Sequence, residues 1–127
     1  KLQKLSVFSN GYDTAEGTSV RDYIQVVDLA KGHVKAFQAL KGKPQVLAVN
    51  LGKGIGYSVL DVVGSFERIS GKDIPYQIVD RRPGDISVSY TDPAYAKEKL
   101  NWIAEYELEE MCEDTWRWQC MNPDGYL

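Results

Sequence analysis

The feature that most constrains the fold is an apolar run, residues 46–51, which leads directly into a glycine-rich loop and a capped helix. An apolar run of this kind is typical of a strand that is covered on both faces. The loop 52–56 follows, and Ser58 with Asp61 forms a capping box for a helix that ends at Gly71. A strand, a turn and a capped helix in direct succession favour an α/β fold.

The remaining segments continue this alternation of strand-like and helix-like patterns. Strands are predicted over residues 5–8, 23–27, 76–79 and 86–90. Helices are predicted from the N-cap Asp28 to the stop at Gly42 and Pro44, from Asp92 and Pro93 to Leu100, and from Leu108 to Gln119. His33 falls on the apolar side of the first helix, so we predict a packed histidine rather than a general base.

Composition limits the classes of partner. The 127 residues carry 15 Lys and Arg against 18 Asp and Glu, which gives a net charge of −3, and 43% of them are hydrophobic. This balance predicts one globular domain and argues against nucleic acid as the main partner, although a single phosphorylated ligand needs only two or three cations. No apolar run approaches the roughly 20 residues of a membrane span, so no membrane partner is predicted. The chain begins at Lys1 without Met, which predicts a cut N-terminus.

The two cysteines predict neither a disulfide nor a metal site. Cys112 and Cys120 are eight residues apart in one helical pattern, so their Cα atoms lie about 12 Å apart, whereas a disulfide tolerates about 7 Å. His33 is the single histidine, which leaves almost no ligands for zinc. Two buried thiols are typical of a reducing compartment, and we predict a cytoplasmic protein.

Two motifs resemble cofactor or catalytic signatures. The loop 52–56 resembles a dinucleotide-binding turn, and Asp73 lies near the place of a ribose-binding acid, but the third glycine comes one residue early. A strand-to-helix turn alone explains these glycines. Tyr95 and Lys99 have the Tyr-x-x-x-Lys spacing of a catalytic pair without the strand and serine that precede such a pair, so we predict a solvent-facing pair.

Arginines provide the more informative pattern. Arg21 opens a predicted strand, and the loop 81–85 carries two adjacent arginines and an aspartate. The planar fork of arginine suits a diphosphate, and a loop carboxylate suits vicinal hydroxyls. Alternatively, Arg21 pairs with Asp22 or a neighbouring carboxylate, and the loop arginines pair with Asp80 or Asp85. The pattern leaves both interpretations open.

Taken together, the segments of the chain resemble the UDP-glucose 4-epimerase family. Three of them, VRDYIQVVDLA at 20–30, NLGKGIGYSV at 50–59 and RRPGD at 81–85, are similar to motifs found across the extended short-chain dehydrogenases/reductases. The segment 8–14 and the tryptophan-rich ending 116–126 narrow the resemblance to 4-epimerases. The match is collinear over essentially the whole chain, although Gln25 stands where the family usually has histidine.

The resemblance implies an α/β fold, the C-terminal part of an extended short-chain dehydrogenase/reductase. In it, the mixed strands and helices of a UDP-sugar-binding domain join a strand–helix piece of a Rossmann-type domain, and about residues 28–51 pack on the NAD-binding domain. Such enzymes interconvert UDP-galactose and UDP-glucose by hydride transfer to and from NAD and are expected to form homodimers. The NAD loop and the catalytic Ser…Tyr-x-x-x-Lys set are not found in residues 1–127, so the chain alone is predicted to be inactive and to hold no catalytic or cofactor-binding residue.

The resemblance also implies a set of substrate-binding residues. They are Ser6 and Phe8 for uracil, Tyr23 and Val59 for the nucleotide, Arg21 and Arg82 for the diphosphate, Asp85 for the ribose hydroxyls, and Ser89 for the hexose. A small residue at position 89 leaves room for an N-acetyl group, which predicts activity on UDP-N-acetylhexosamines. Two other interpretations stay open: a nucleotide-sugar-binding remnant or structural fragment without catalysis, and a related nucleotide-sugar dehydratase or decarboxylase.

Overall fold

Five strands and four helices follow one another in the computed structural model, which describes residues 3–42 and 45–126. In chain order they are β1 (Leu5–Phe8), β2 (Val20–Arg21), α1 (Val26–Leu40), β3 (Tyr57–Ser58), α2 (Val59–Ser70), β4 (Tyr76–Val79), β5 (Val88–Ser89), α3 (Ala94–Leu100) and α4 (Leu108–Met121). Strand β1 pairs in parallel with β4, while β2 lies between antiparallel β3 and parallel β5. This mixture of strands and helices confirms the predicted α/β class. The predicted features at Lys1 and Pro44 lie outside the described residues.

Both predicted ends of helix α2 are confirmed. The capping box of α2 forms as predicted: the Asp61 amide donates to Ser58 Oγ at 3.0 Å, and the Ser58 amide donates to Asp61 Oδ2 at 2.7 Å. Gly71 ends this helix in the left-handed region, with φ +64°. At α3 the predicted N-cap is one residue early: Pro93 is the N-cap, although the Ala94 amide donates to Asp92 Oδ1 at 2.9 Å. Each of these contacts joins residues at most four positions apart, which is why sequence spacing alone predicts them.

The predicted strand at 23–27 is wrong, and so is the N-cap at Asp28. Helix α1 begins at Val26, and its N-cap is Gln25, whose side chain accepts a hydrogen bond from the Val27 amide at 2.9 Å. Asp28 lies fully buried in the first turn. Its Oδ2 accepts the amides of Glu105 at 2.8 Å and Tyr106 at 3.0 Å. The Asp28 carboxylate therefore binds a segment that is distant in sequence, and the side chain of Gln25 caps the helix instead.

Residues 46–51 do not form the predicted strand. Leu47, Val49 and Leu51 pack against a core cluster that includes Trp102, but Val46 is 100% exposed. A strand needs a neighbour for its backbone hydrogen bonds, and within residues 3–42 and 45–126 this segment has none. The predicted strand 86–90 is shorter than expected, because only Val88 and Ser89 pair with β2.

Two side-chain predictions on helix faces also need correction. Cys112 is buried and Cys120 is exposed, so the prediction of two buried thiols is wrong for Cys120, while both thiols are free as predicted. His33 is exposed rather than packed, and its Nδ1 lies 2.8 Å from the Leu29 carbonyl oxygen. The face of α1 that carries His33 is apolar by pattern but only partly covered by the described part of the chain. Among the described helices, none is long and apolar enough to cross a bilayer.

Candidate functional site

The carboxylate of Asp22 accepts hydrogen bonds from two distant segments of the chain. Asp22 follows β2, and its Oδ1 accepts the Lys53 amide at 3.0 Å. Its Oδ2 accepts the Gly54 amide at 3.0 Å, the Thr91 amide at 3.2 Å and the Thr91 hydroxyl at 2.6 Å. Burial raises the pKa of Asp22, whereas the hydrogen bonds from Thr91, Gly54 and Lys53 lower it. The hydrogen bonds together outweigh burial, so the pKa lies below its ordinary value. We call this network of Asp22, residues 52–54 and Thr91 the Asp22 cluster; its carboxylate is ionised at neutral pH.

Gly52 and Gly54 allow the loop backbone to approach Asp22 and Thr91 closely. A Cβ atom on Gly52 would lie 2.2 Å from Thr91 Oγ1 and 2.4 Å from Asp22 Oδ2, so no larger residue fits there. Gly54 has φ +77°, in the left-handed region that favours glycine. The amides of Lys53 and Gly54 are already bound to Asp22, and hence they are not open to a cofactor pyrophosphate. The loop is explained by an internal anion, without a dinucleotide.

An ion pair joins the glycine loop to helix α4. The Lys53 side chain is almost fully buried, and its Nζ lies 2.7 Å from Glu107 Oε1. The Tyr57 hydroxyl donates to Glu107 Oε2 at 3.3 Å. The hydrogen bond from Lys53 holds the pKa of Glu107 below its ordinary value. Glu107 is also the N-cap of α4, so the loop and the start of this helix are positioned together.

Arg21 forms no ion pair with a carboxylate of the described residues. Its guanidinium donates to main-chain carbonyls, Nη1 to Val20 at 2.8 Å and Nη2 to Ile86 at 2.8 Å. The alternative ion pair with Asp22 does not form, and no other carboxylate in the described ranges pairs with Arg21. Ser89 is its register partner on β5. The structure therefore brings Arg21 and Ser89 side by side.

The second predicted cation lies in the exposed loop after β4. Arg82 Nε donates to Asp85 Oδ2 at 3.1 Å, and its guanidinium carbon lies 4.2 Å from the centroid of the Phe8 ring. Arg81 stacks similarly on Tyr12, with its guanidinium carbon 4.4 Å from the centroid of that ring. The structure thus brings Phe8, Arg82 and Asp85 together, and the predicted local pair of Arg82 with Asp85 is observed. With 61% of the Arg82 side chain exposed, the pair is open to solvent and to a ligand.

The other predicted substrate residues lie close by in the fold. Ser6 is on β1, two residues before Phe8. Tyr23 is half-buried after β2; burial raises the pKa of its hydroxyl, while the charge of Arg21 acts in the opposite direction. Val59 begins α2, directly after the strand β3 that pairs with β2. The eight residues therefore fall into two groups, one at β1 and β4 and one around β2.

Carbonyl groups of the chain before β5 connect these two groups. The Ser87 carbonyl accepts the Val20 amide at 2.8 Å, and the Ile86 carbonyl accepts Arg21 Nη2 at 2.8 Å. The same connection carries Arg82 and Asp85 a few residues earlier. The chain from Arg82 to Ser89 therefore runs from the first group to the second.

Sequence reasoning missed Asp22 and Thr91. Asp22 was interpreted only as a partner for Arg21, although its partners at Lys53 and Thr91 lie 31 and 69 residues away. The available signal was a loop with three glycines, since such loops expose amides that need an anion, but nothing in the spacing says which anion.

The Tyr95–Lys99 pair and the acidic, histidine and cysteine side chains were also located in the structure. Lys99 pairs with its neighbour Glu98 at 2.7 Å, and both Tyr95 and Lys99 are exposed, which confirms a solvent-facing pair. In the described part of the chain, no group of three or more His, Cys, Asp or Glu side chains is placed to hold a metal ion.

Comparison with known proteins identifies the family. The model of the GDP-mannose 4,6 dehydratase family matches residues 1–115. UDP-glucose 4-epimerases are 57% identical in Bacillus subtilis and 53% identical in Homo sapiens, each over 99% of this chain. The chain spans about 37% of the length of the first of these relatives and 36% of the second.

Solved structures agree with the fold. The UDP-glucose 4-epimerase of Bifidobacterium longum, in complex with NAD+ and UDP, has a TM-score of 0.94 and 46% identity over 98% of this chain and 37% of its own. The UDP-Glc/GlcNAc 4-epimerase of Campylobacter jejuni has a TM-score of 0.83 and 34% identity over 95% of this chain and 37% of its own. The fold is that of the extended short-chain dehydrogenases/reductases, as predicted. This chain belongs to the GDP-mannose 4,6 dehydratase family and, within it, is similar to the UDP-glucose 4-epimerases.

Proposed function

We propose that this chain forms the C-terminal, UDP-sugar-binding part of a UDP-glucose 4-epimerase, which interconverts UDP-galactose and UDP-glucose by hydride transfer to and from NAD. The observation that carries the proposal is 57% identity to the Bacillus subtilis epimerase over 99% of this chain. The glycine loop does not offer the amides of Lys53 and Gly54 to NAD, because both are bound to Asp22. We assign NAD binding and proton transfer to parts of the enzyme outside this chain.

The two arginines are suited to the diphosphate. Arg21 is a half-buried cation that donates to carbonyl groups and keeps its positive charge. Arg82 uses Nε for Asp85 and presents an exposed planar fork, which matches phosphate oxygens. Asp85 accepts hydrogen bonds and therefore suits the ribose hydroxyls. Phe8, stacked on Arg82, places an aromatic side chain and the β1 backbone beside this group for the uracil.

An uncovered apolar region supports the docking of residues 28–51 on an NAD-binding domain. We call it the open surface: the exposed Val26, Val34 and Phe37 of α1 together with residues 46–51. Phe37 is 73% exposed, and the backbone at 46–51 has no strand partner among the described residues. Exposed apolar side chains and backbone groups without a strand partner are features that a neighbouring sheet would cover.

Two further parts of the proposal concern assembly and location. We expect the enzyme to be a homodimer through its NAD-binding half, a property taken from the family. We also expect it in the cytoplasm, where the two free thiols, Cys112 and Cys120, would remain reduced.

A hybrid enzyme tests the proposed function. In the hybrid, this chain replaces the matching segment of the Bacillus subtilis epimerase, and conversion of UDP-galactose to UDP-glucose is measured. We expect kcat within about tenfold of that of the Bacillus enzyme. The reacting groups lie in the retained half, and the replaced part supplies the substrate-binding residues. A hybrid that folds and retains NAD but does not convert UDP-galactose would contradict the epimerase and favour a non-catalytic remnant or a dehydratase.

Ser89 extends the proposal to N-acetylated substrates. It is exposed beside Arg21 and is small. The Campylobacter jejuni relative, 34% identical, is a UDP-Glc/GlcNAc 4-epimerase. We therefore expect the hybrid to convert UDP-N-acetylgalactosamine as well as UDP-galactose. Activity on UDP-galactose with none on the N-acetylated sugar would contradict this extension.

A further inference from the structure

Four of the proposed substrate contacts depend on very short strands. Arg21 lies on β2 and Ser89 on β5, while Tyr23 and Val59 flank β2 and β3. Each of these strands is two residues long and forms only two register pairs with its neighbour. Isolated two-stranded pairs of ordinary length are already marginal in water. Another interaction must therefore fix the relative positions of these residues.

The Asp22 cluster supplies that interaction. Asp22 lies between Arg21 and Tyr23, and its amide donates to the Ser89 carbonyl at 3.1 Å. Its carboxylate binds the loop that leads to β3, through Lys53 and Gly54 at 3.0 Å each. It also binds Thr91, two residues after Ser89, at 2.6 Å from the hydroxyl. One side chain thereby joins all three chain segments that carry the four contacts.

We propose that Asp22 is a positioning residue for the UDP-sugar: its carboxylate fixes β2, β3 and β5 so that Arg21 meets the diphosphate in a preset geometry. The inference rests on the proposed function. Asp22 is adjacent to Arg21 in sequence yet leaves its charge uncompensated, because the carboxylate is committed to four donors from the glycine loop and Thr91. Arg21 is oriented instead by the carbonyls of Val20 and Ile86.

The main test is Asp22→Asn in the hybrid enzyme. Asparagine keeps the shape but removes the charge and one acceptor oxygen. We expect KM for UDP-galactose to rise about tenfold, with kcat within about threefold, because three of the four affected residues hold the nucleotide end and the reacting groups lie in the retained half. Binding of UDP, measured by calorimetry, should weaken by a similar factor. A purely structural role would lower the active fraction, and hence kcat, with KM unchanged; that result would overturn the proposal.

Thr91 provides a second, milder variant if Asp22→Asn does not fold. Thr91→Val removes the 2.6 Å hydrogen bond to Asp22 and keeps the shape of the side chain. We expect KM to rise about threefold, from the loss of one charge-assisted bond. Thr91→Ser returns the hydroxyl and should bring KM back towards the hybrid value. Equal KM values in the Val and Ser variants would contradict a role for this bond.

A double-mutant cycle separates failure of the inference from failure of the proposed function. If Asp22 acts through Arg21, Arg21→Ala should raise KM less in the Asp22→Asn background than in the unmodified hybrid. Arg82 is held by Asp85 and Phe8, outside the Asp22 cluster, so the effects of Arg82→Ala and Asp22→Asn should add. If neither arginine variant changes KM, the proposed UDP-sugar site is wrong. If both do and Asp22→Asn does not, only the role of Asp22 is wrong.

Discussion

The Asp22 cluster and the open surface differ in whether their groups find partners within this chain. Around Asp22, loop amides, a hydroxyl and a buried lysine are all paired, and the glycines fit the space left to them. On the open surface, Phe37 and Val46 are exposed and the backbone of 46–51 lacks a strand partner among the described residues. The polar groups of the Asp22 cluster are thus satisfied within this chain, whereas apolar side chains of α1 and Val46 stay exposed in the described residues.

The largest expected effect comes from placing charge on the open surface. The double variant Phe37→Asp, Val46→Asp should abolish soluble, active hybrid enzyme, because two carboxylates would be buried without partners. In the isolated chain the same changes should reduce self-association, since both positions face water there. Activity assays and size-exclusion chromatography measure the two outcomes.

Gln38→Glu is the matched control for that variant. Gln38 is an exposed polar residue of α1, so the change adds charge without removing an apolar group. It should leave the hybrid active and the association of the isolated chain nearly unchanged. A fully active hybrid with both aspartates would show that the open surface is not covered in the enzyme.

The inner side of α1 provides the next largest effect. Asp28→Ala removes the acceptor for the Glu105 and Tyr106 amides and leaves both without a partner in a part-buried region. We expect the free energy of unfolding to fall by about 3 kcal/mol, measured by urea denaturation of the hybrid. Asp28→Asn keeps one acceptor oxygen and should cost about 1 kcal/mol. Equal losses for the two variants would show that the hydrogen bonds do not carry the effect.

Arg82 gives an effect on binding rather than on stability. Arg82→Ala in the hybrid should weaken substrate binding by about 1.5–3 kcal/mol, the range for a charge-assisted hydrogen bond, and KM should rise accordingly. Stability should change little, because the pair with Asp85 is exposed. Lys99→Ala, which removes an exposed cation outside both substrate groups, is the control. An unchanged KM would argue against a phosphate contact.

The success of sequence reasoning depended on the distance between partners. The capping box of Ser58 and Asp61 joins residues three apart and was predicted, and the pair of Arg82 with Asp85, equally close in sequence, was one of the two interpretations left open. Asp28 was equally suited to cap α1, but Glu105 and Tyr106, which are 77 and 78 residues away, take its carboxylate.

The open surface shows a different reason for failure. The apolar run 46–51 predicts a strand covered on both faces, but its alternate residues pack against the core cluster while Val46 is exposed and the segment lacks a strand partner among the described residues. His33 is likewise exposed, although Ala36 on the same predicted helix face packs against that cluster. Hydrophobic patterning predicts the need for burial, and the covering element must be found separately.

Ser89 offers a change in specificity. Ser89→Tyr would fill the space proposed for an N-acetyl group, so kcat/KM for UDP-N-acetylgalactosamine should fall about tenfold more than kcat/KM for UDP-galactose. Ser89→Ala is the matched control, because it keeps the space and removes only the hydroxyl. Equal losses on the two sugars in the tyrosine variant would place the N-acetyl group elsewhere.

The smallest expected effect is a pH dependence confined to Asp22. Its pKa is lowered in the folded state, so the stability it contributes is present above the ordinary value of 3.8 and is lost as pH falls through the lower folded pKa. The difference in unfolding free energy between the hybrid and its Asp22→Asn variant should therefore be constant near neutral pH and shrink in acid. Glu107, whose pKa is also lowered, is present in both proteins and cancels from the difference. A difference that stays constant into acid would mean that the Asp22 charge does not stabilise the cluster, and shape alone would then distinguish this region from the open surface.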